Sequence, residues 1–231
     1  VKTMLHGMNQ SIDVIVPRGG KSLVAMVEEE ARVPVFAHLE GICHIFVDKT
    51  ANVSKSVDVC INAKMRRPGI CGAVETILVH HKIANEFIPL LINALKAHAC
   101  EIRGCSKTQE FSENILKATT EDWSTEYLLP IISIKIVDSL NKAIEHIDHF
   151  SSGHTESILS EDLNRASRFQ KEIDSAIVMH NTSTQFADGG EFGLGGEIGI
   201  ATGKFHARGP VGVDQLTSFK YFVNGNGQIR T

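Results

Sequence analysis

Short apolar runs alternate with longer stretches of helical periodicity along most of the chain. The apolar runs predict strands at 12–16, 42–47, 77–79, 131–137, 156–159 and 175–179. Apolar residues spaced three and four positions apart predict helices at 21–31, 54–65, 83–97, 139–150 and 160–173. Residues 100–130 are weakly patterned. Alternating strands and helices are typical of an α/β fold with a mostly parallel sheet, and this is the fold class that we predict.

The last fifty residues follow a different pattern. The glycine-dense stretch 188–196 predicts loops with unusual backbone dihedrals. Farther on, 218–223 and 228–230 flank Asn224-Gly225-Asn226-Gly227, which predicts a two-stranded tail. A lone hairpin is marginally stable, so we expect this tail to join a sheet of a second copy, giving a homodimer or larger homo-oligomer.

The composition of the chain excludes several classes of binding partner. The chain has 42% hydrophobic residues, a net charge of −4 and no basic block, which argues against nucleic-acid and anionic-membrane partners. Five cysteines without a CxxC pair, behind an N-terminus unlike a signal peptide, predict free thiols in the cytoplasm and no structural zinc site. Because the chain starts at Val1 and soon enters a predicted strand, we expect it to be an excerpt of a longer sequence.

Cys71 is the candidate nucleophile. It follows the bend Arg66-Arg67-Pro68-Gly69 and precedes an apolar strand, a setting that can expose a thiol beside backbone N–H donors for an oxyanion. We expect the two arginines to favour the thiolate and an anionic substrate. The alternative is a small buried apolar residue, which is the usual role of a free cysteine and our interpretation of Cys43, Cys60, Cys100 and Cys105.

Three other groups of residues invite a functional interpretation. The turn Arg18-Gly19-Gly20-Lys21 before a predicted helix is suited to a phosphate, although a purely structural turn is equally compatible with it. His80 and His81 are adjacent on a strand and point to opposite faces, so we predict no metal site there. Spacing does not choose among the polar residues of the glycine-rich region, Glu191, Glu197, His206 and Arg208.

Several stretches, taken together and in order, resemble one family over the whole chain. They are Ile15-Val16-Pro17-Arg18-Gly19-Gly20, 41–48, 62–64 with Arg67, Pro68 and Cys71, Glu75-Thr76, 181–184, 188–190, 192–195 and 206–210. The family is that of the gamma-glutamyl phosphate reductases, in the aldehyde dehydrogenase superfamily, whose members are much longer. The resemblance implies the end of a Rossmann-like nucleotide-binding domain at 1–36, a catalytic domain at 37–205, and a C-terminal return segment and oligomerisation tail at 206–231. The implied missing part is the N-terminal half.

The resemblance also implies an activity. It is the NADPH-dependent reduction of L-glutamyl 5-phosphate to L-glutamate 5-semialdehyde and phosphate in proline biosynthesis, through a thioester on Cys71, with glutamate 5-kinase as a candidate partner. Implied contacts to the cofactor are Pro17, Arg18, Gly19 and Gly20 at the pyrophosphate and Glu126 at the nicotinamide ribose. Implied contacts to the substrate are Arg67, Asn181, Thr182, Ser183 and Arg208, and no metal ligand is implied.

Two positions depart from the family pattern. His38 stands where hydrolytic aldehyde dehydrogenases carry the glutamate that activates water, which fits a thioester that is not hydrolysed. Gln185 stands where this family is expected to have arginine, which predicts weaker substrate binding. Two alternatives to the enzyme remain open, namely a folded but inactive catalytic-domain fragment and a pseudoenzyme that serves as an oligomerising or binding module. The choice between NADPH and NADH also stays open.

Overall fold

The computed structural model describes residues 1–231 as a parallel sheet with helices on both faces and a small antiparallel sheet. The strands are β1 Cys43–Val47, β2 Val74–His80, β3 Glu101–Gly104, β4 Leu116–Lys117, β5 Ile131–Val137, β6 Thr155–Leu159, β7 Ile177–His180, β8 Gly199–Ala201 and β9 Gly209–Val211. The helices are α1 Lys2–Leu5, α2 Lys21–Glu30, α3 Val53–Met65, α4 His81–Ala97, α5 Ser106–Gln109, α6 Leu140–Phe150 and α7 Leu163–Glu172. Short 3₁₀ turns lie at Glu121–Ser124, Thr184–Phe186 and Asp214–Leu216.

The large sheet has seven strands in the order β4-β3-β5-β2-β1-β6-β7. Every neighbouring pair in it is parallel, which confirms the predicted fold class. β8 and β9 form the separate antiparallel pair. No helix is long and apolar enough to serve as a membrane span.

Side chains of the central strands alternate between two apolar layers. Ile45, Val47 and Ile77 pack with helices α3 and α4 on one face, where Phe87 and Leu91 are fully buried. Phe46 and Leu78 point to the opposite face and pack with α6 and α7. This period-two alternation is what buries both faces of a parallel sheet. The sheet therefore gives the loops at its edges a rigid base.

Most predicted elements are confirmed, and three predictions are wrong. Residues 12–16 do not form a buried strand, because their pairing is limited to a single parallel bridge between Ile15 and Val35. The last main helix begins at Leu163, where the Asp162 carboxylate caps it by accepting hydrogen bonds from two backbone N–H groups. The predicted tail hairpin is absent from 217–231, and the side chains of Phe219, Tyr221, Phe222 and Val223 are at least 79% exposed.

The weakly patterned region 100–130 holds strands β3 and β4 and the short helix α5. These elements are two to four residues long, which is too short for a periodic pattern to reveal. The domain boundaries at 36 and 205 stay predictions. In the structure Phe36 packs with Ala201, Ala207 and Val211, so the segments on both sides of these boundaries contact each other.

The candidate nucleophile lies at the edge where the parallel strands begin. Cys71 precedes β2, Gly41 precedes β1, Glu126 precedes β5 and His154 immediately precedes β6. Since these strands are parallel, their amino ends share one edge of the sheet. Ligands of open α/β sheets usually bind outside the carboxyl ends of the strands, so this candidate site is at the opposite edge.

Candidate active site

The loop that carries Cys71 connects α3 to β2 and is fixed from two sides. The Gln185 amide group donates hydrogen bonds to the Ala63 carbonyl at 2.8 Å and to the Arg67 carbonyl at 3.4 Å. The Cys43 thiol donates to the Cys71 carbonyl at 3.1 Å. Cys71 itself is half-buried, whereas Cys43 is fully buried. The loop is thus rigid and leaves the Cys71 side chain partly accessible.

Gln185 has a structural role at this loop. Its side chain is buried, and its Oε1 also accepts a hydrogen bond from the Arg66 guanidinium at 3.4 Å. The amide is therefore used in holding the backbone around the nucleophile. This placement gives no support to the prediction that Gln185 weakens a substrate contact.

Gly41 brings the Cys71 backbone and Glu126 together. A Cβ atom on Gly41 would lie 2.2 Å from the Cys71 carbonyl oxygen and 2.6 Å from its Cα. On its other side, the Gly41 N–H donates to Glu126 Oε1 at 2.9 Å. The absence of a side chain at Gly41 is what permits this close approach of backbones. Glu126 is consequently part of the candidate site, and its contact to a nicotinamide ribose stays a prediction.

We expect Gly41→Ala to displace the Cys71 loop. The clash is with backbone atoms, so side-chain rotation cannot relieve it. A misplacement of about 1 Å can lower turnover on the order of 10²-fold, and overpacking typically costs about 1–3 kcal/mol. Alkylation rates of Cys71 and urea unfolding would measure both effects. Gly196→Ala is the matched control, since a Cβ there meets no atom within 4 Å; equal behaviour of the two variants would contradict the prediction.

Two imidazole rings adjoin Cys71. One ring nitrogen each from His38 and His154 and the Cys71 sulfur all lie within 4.8 Å of one another. The rings meet edge to face with centroids 5.0 Å apart. Nδ1 of His38 is 2.6 Å from the Ile200 carbonyl oxygen, and Nδ1 of His154 is 2.8 Å from the Thr155 hydroxyl. Burial lowers the pKa of His154 to about 3, which keeps this ring neutral at neutral pH.

The electrostatic setting of Cys71 differs from the one that the sequence predicted. Burial, together with the nearby carboxylates of Glu126 and Glu197, raises the thiol pKa to about 11. The backbone N–H of Cys71 and the charge of Arg18 act in the opposite direction. Arg66 is bound to Gln185 and Arg67 is exposed, so the predicted stabilisation of the thiolate by these two arginines was wrong.

Three of the predicted cofactor residues, Pro17, Arg18 and Gly19, line a small cavity that also includes His38. The cavity measures about 210 Å³, and its lining includes 16–19, 36–38 and 198–200. Arg18 is exposed and donates to the Ile198 carbonyl at 3.1 Å. Gly20 is the N-cap of α2, and no atom lies within 4 Å of the place where its Cβ would be. The structure thus brings Pro17, Arg18 and Gly19 to His38, with an open helix N-terminus alongside.

The predicted substrate residues are not all brought to Cys71. Asn181 lies at the carboxyl edge of the sheet, where its amide group bonds both the N–H and the carbonyl of Ser160. The chain then turns back, so that the Thr184 carbonyl comes within 3.3 Å of a Cβ placed on Gly72. Thr182 donates to the His180 carbonyl, and Ser183 accepts from the Gln185 N–H.

The role of Asn181 in substrate binding stays a prediction, and in the structure its side chain holds the loop at Ser160, at the carboxyl ends of the strands. Arg208 also has another partner. Its guanidinium donates to Oδ1 of Asp174 at 2.9 Å and to the Asp174 carbonyl at 2.8 Å. Nothing in these contacts ties Arg208 to the Cys71 loop.

Sequence reasoning missed His154 and the buried ion pair between Lys64 and Glu75. His154 sits between a glycine turn and β6 and has no motif of its own. Lys64 and Glu75 both fell within matching stretches without an assigned role, yet Lys64 Nζ donates to Glu75 Oε2 at 2.5 Å with both side chains at most 1% exposed. The sequence could have predicted these contacts only if it had also shown which strands begin at the same side of the sheet.

The comparisons with known proteins find one family and several relatives that are similar to this chain. The model of the aldehyde dehydrogenase family matches residues 115–222. Gamma-glutamyl phosphate reductase of Brucella suis is 59% identical over 230 residues, covering 100% of this chain and 55% of that protein. That of Brucella anthropi is 60% identical, covering 100% and 54%. The crystal structure of gamma-glutamyl phosphate reductase from Thermotoga maritima superposes with a TM-score of 0.96 at 49% identity, covering 100% of this chain and 55% of that one.

A parallel sheet with a cysteine before a central strand, together with these matches, defines the class that the chain resembles, which is the aldehyde dehydrogenase superfamily. Within that superfamily it resembles the gamma-glutamyl phosphate reductases from end to end. The chain spans about half the length of the curated relatives that it matches.

Proposed function

We propose that the chain carries the acyl-transfer chemistry of a gamma-glutamyl phosphate reductase, which converts L-glutamyl 5-phosphate into L-glutamate 5-semialdehyde with NADPH in proline biosynthesis. The observation that carries this proposal is the partly accessible Cys71 thiol on a rigid loop, with its own backbone N–H close by. The identity of the proposed substrate is taken from the names of the relatives given above. NADPH in preference to NADH, a homo-oligomer, a kinase partner and a cytoplasmic location stay predictions.

In the first step of the proposed mechanism, the Cys71 thiolate attacks the acyl carbon of the substrate. A carbon–sulfur bond forms, the carbon–oxygen bond to phosphate breaks, and inorganic phosphate leaves with the electron pair. Phosphate is a good leaving group, so no general acid is required. In this mechanism the Cys71 N–H donates to the developing oxyanion, the type of contact that is worth about 10²–10³ in turnover.

The second step returns the enzyme to its starting state. NADPH, when bound, supplies the hydride that reduces the thioester carbonyl. The resulting hemithioacetal alkoxide collapses, the carbon–sulfur bond breaks, and aldehyde and thiolate are released. Glu126 is held 2.9 Å from the Gly41 N–H and has its second oxygen available for a ribose hydroxyl.

The residues around the small cavity fit an anionic nicotinamide cofactor. Arg18 supplies a cation, and the open N-terminus of α2 supplies backbone N–H groups, the combination that binds a pyrophosphate. We propose that Pro17, Arg18, Gly19 and Gly20 contact this part of the cofactor. Arg67 is exposed and has no ion-pair partner, so it stays a candidate for the substrate phosphate or carboxylate.

Two assays on the 231-residue chain test the proposal. The first is phosphate-dependent reduction of NADP⁺ with L-glutamate 5-semialdehyde, which needs both thiol and cofactor. The second is incorporation of the acyl group from L-glutamyl 5-phosphate, read as a mass increase on Cys71, which needs no cofactor. Acylation without NADP⁺ reduction would favour the inactive-fragment alternative for this chain. Failure of acylation in folded protein would overturn the proposed function.

A further inference from the structure

The cluster of His38, Cys71 and His154 has the composition of a metal site. We propose that these three side chains bind a zinc-class divalent cation, and that the bound ion blocks the Cys71 thiol. One thiol and two imidazoles are ligands that Zn²⁺ prefers, and three protein ligands with an open fourth position are typical of its non-structural sites. The sequence predicted no metal ligand, since the three residues are 33 and 83 positions apart.

Both imidazoles offer a free nitrogen. The Nδ1 atom of His38 faces the Ile200 carbonyl at 2.6 Å, which places the proton on Nδ1 and leaves the lone pair on Nε2. Nδ1 of His154 faces the Thr155 hydroxyl at 2.8 Å, and this hydroxyl can accept the Nδ1 proton in the tautomer that leaves the lone pair on Nε2. Metal-binding histidines usually have such a partner on the second nitrogen. The Nε2 atom of His154 is fully buried and has no hydrogen-bond partner at all.

An unpartnered buried nitrogen carries a desolvation cost, which a ligand would offset. The hydrogen bonds of the two Nδ1 atoms also fix the orientation of both rings before any ion arrives. His154 therefore brings to the cluster a fully buried ring with one unpartnered nitrogen.

The three ligand atoms must move slightly closer together to bind one ion. From Zn–N and Zn–S bond lengths, two ligand atoms of a tetrahedral site are roughly 3.3–3.6 Å apart. The three atoms here lie within 4.8 Å of one another, so the longest separation shortens by about 1 Å on binding. His38 and Cys71 are half-buried and can supply this movement, whereas His154 is packed inside.

The charge around the cluster favours a cation. The carboxylates of Glu126 and Glu197 lie close enough to Cys71 to disfavour its thiolate, and Arg18 is the opposing charge. A divalent ion inverts this balance, because a coordinating thiol is deprotonated outright. As the Zn–S bond forms, the thiol proton passes to solvent. The ion then occupies the lone pair with which Cys71 would attack a carbonyl.

A metal titration of the reduced 231-residue chain tests this inference without substrate or cofactor. Zn²⁺ affinity is measured by competition with a chromogenic chelator, and Co²⁺ is used to look for a thiolate-to-metal charge-transfer band. We expect one Cys71-dependent site in the unmodified chain. Cys71→Ser and His38→Gln should each weaken it by at least about tenfold and abolish or shift the band. His38→Gln is chosen because His38 is half-buried and its replacement should not prevent folding.

Two control variants separate the cluster from surface sites. Cys105→Ser removes another half-buried cysteine, and His149→Gln removes an exposed histidine, so both should bind Zn²⁺ as the unmodified chain does. Zn²⁺ should also slow alkylation of Cys71, and EDTA should restore the rate. Unchanged affinity in both cluster variants, or equal losses in the controls, would overturn the proposal. Alkylation unaffected by Zn²⁺ would do the same.

Discussion

Replacing Cys71 with alanine is expected to abolish acyl transfer while leaving the chain folded. Cys71 carries the partly accessible thiol of this site, whereas the neighbouring Cys43 is fully buried, and removal of a nucleophile typically lowers turnover by at least about 10⁴-fold. Acylation by L-glutamyl 5-phosphate, read by intact mass, measures the loss directly. Because Cys71 is half-buried and packs against backbone, the urea midpoint should stay close to that of the unmodified chain.

Cys105→Ala is the matched control for this result, since Cys105 is a second half-buried thiol on a different loop. It should acylate as the unmodified chain does. Loss of acylation in the Cys105 variant, with retention in the Cys71 variant, would place the nucleophile at Cys105 and contradict the assignment of Cys71.

The pH dependence of the same thiol follows from its environment. A thiol pKa raised to about 11 means that little thiolate is present at neutral pH. The alkylation rate of Cys71 should therefore rise about tenfold per pH unit between roughly pH 7 and 10. Arg18→Gln removes a charge that lowers this pKa, so its rate at pH 8 should fall. A rate that levels off below pH 8 in the unmodified chain would contradict this reading of the site.

The candidate nucleophile could be predicted from sequence because its signal is local. A bend marked by Pro68 and Gly69, a cysteine and an apolar strand are contiguous, and the motifs around them are specific together. The long helices and central strands were also predictable, since each repeats its period several times, as α4 does over His81–Ala97.

The surroundings of the nucleophile could not be found in this way. His154, Gly41 and Glu126 belong to separate segments that meet only because parallel strands start at one edge. The pKa of Cys71 depends on burial and on Glu126 and Glu197, neither of which is adjacent to it in sequence. The prediction that Arg66 and Arg67 stabilise the Cys71 thiolate was wrong, since Arg66 donates a hydrogen bond to Gln185. The local sequence pattern thus predicts the candidate nucleophile, whereas the topology determines which charged groups surround it.

The buried ion pair between Lys64 and Glu75 joins the last turn of α3 to the first strand after the Cys71 loop. It therefore closes the loop at its base. Oε1 of Glu75 also accepts a hydrogen bond from the Leu128 N–H at 3.4 Å, two residues beyond Glu126. The pair thus supports both segments that flank the nucleophile.

Lys64→Met is expected to destabilise the chain by about 3–5 kcal/mol, because it leaves a carboxylate buried without its partner. Urea unfolding measures the loss. The double variant Lys64→Met with Glu75→Gln should recover much of it, because removing both charges also removes their desolvation cost. Arg168→Met, at the exposed pair with Glu172, is the control and should leave the midpoint unchanged.

The destabilisation caused by Lys64→Met should also depend on pH, in a direction that the pKa of Glu75 determines. Burial raises the pKa of Glu75 to about 7 even with Lys64 beside it, above the value of an exposed carboxyl. A group whose pKa is raised on folding binds more protons in the folded state, so stability falls as pH rises through that range. Without Lys64 the pKa rises further, and the loss in Lys64→Met should be larger at pH 8 than at pH 6. If the decrease in the free energy of unfolding caused by Lys64→Met became smaller as pH rises, Glu75 would not be desolvated. The Cys71 loop would then be held by Gln185 and Cys43 and not by the ion pair.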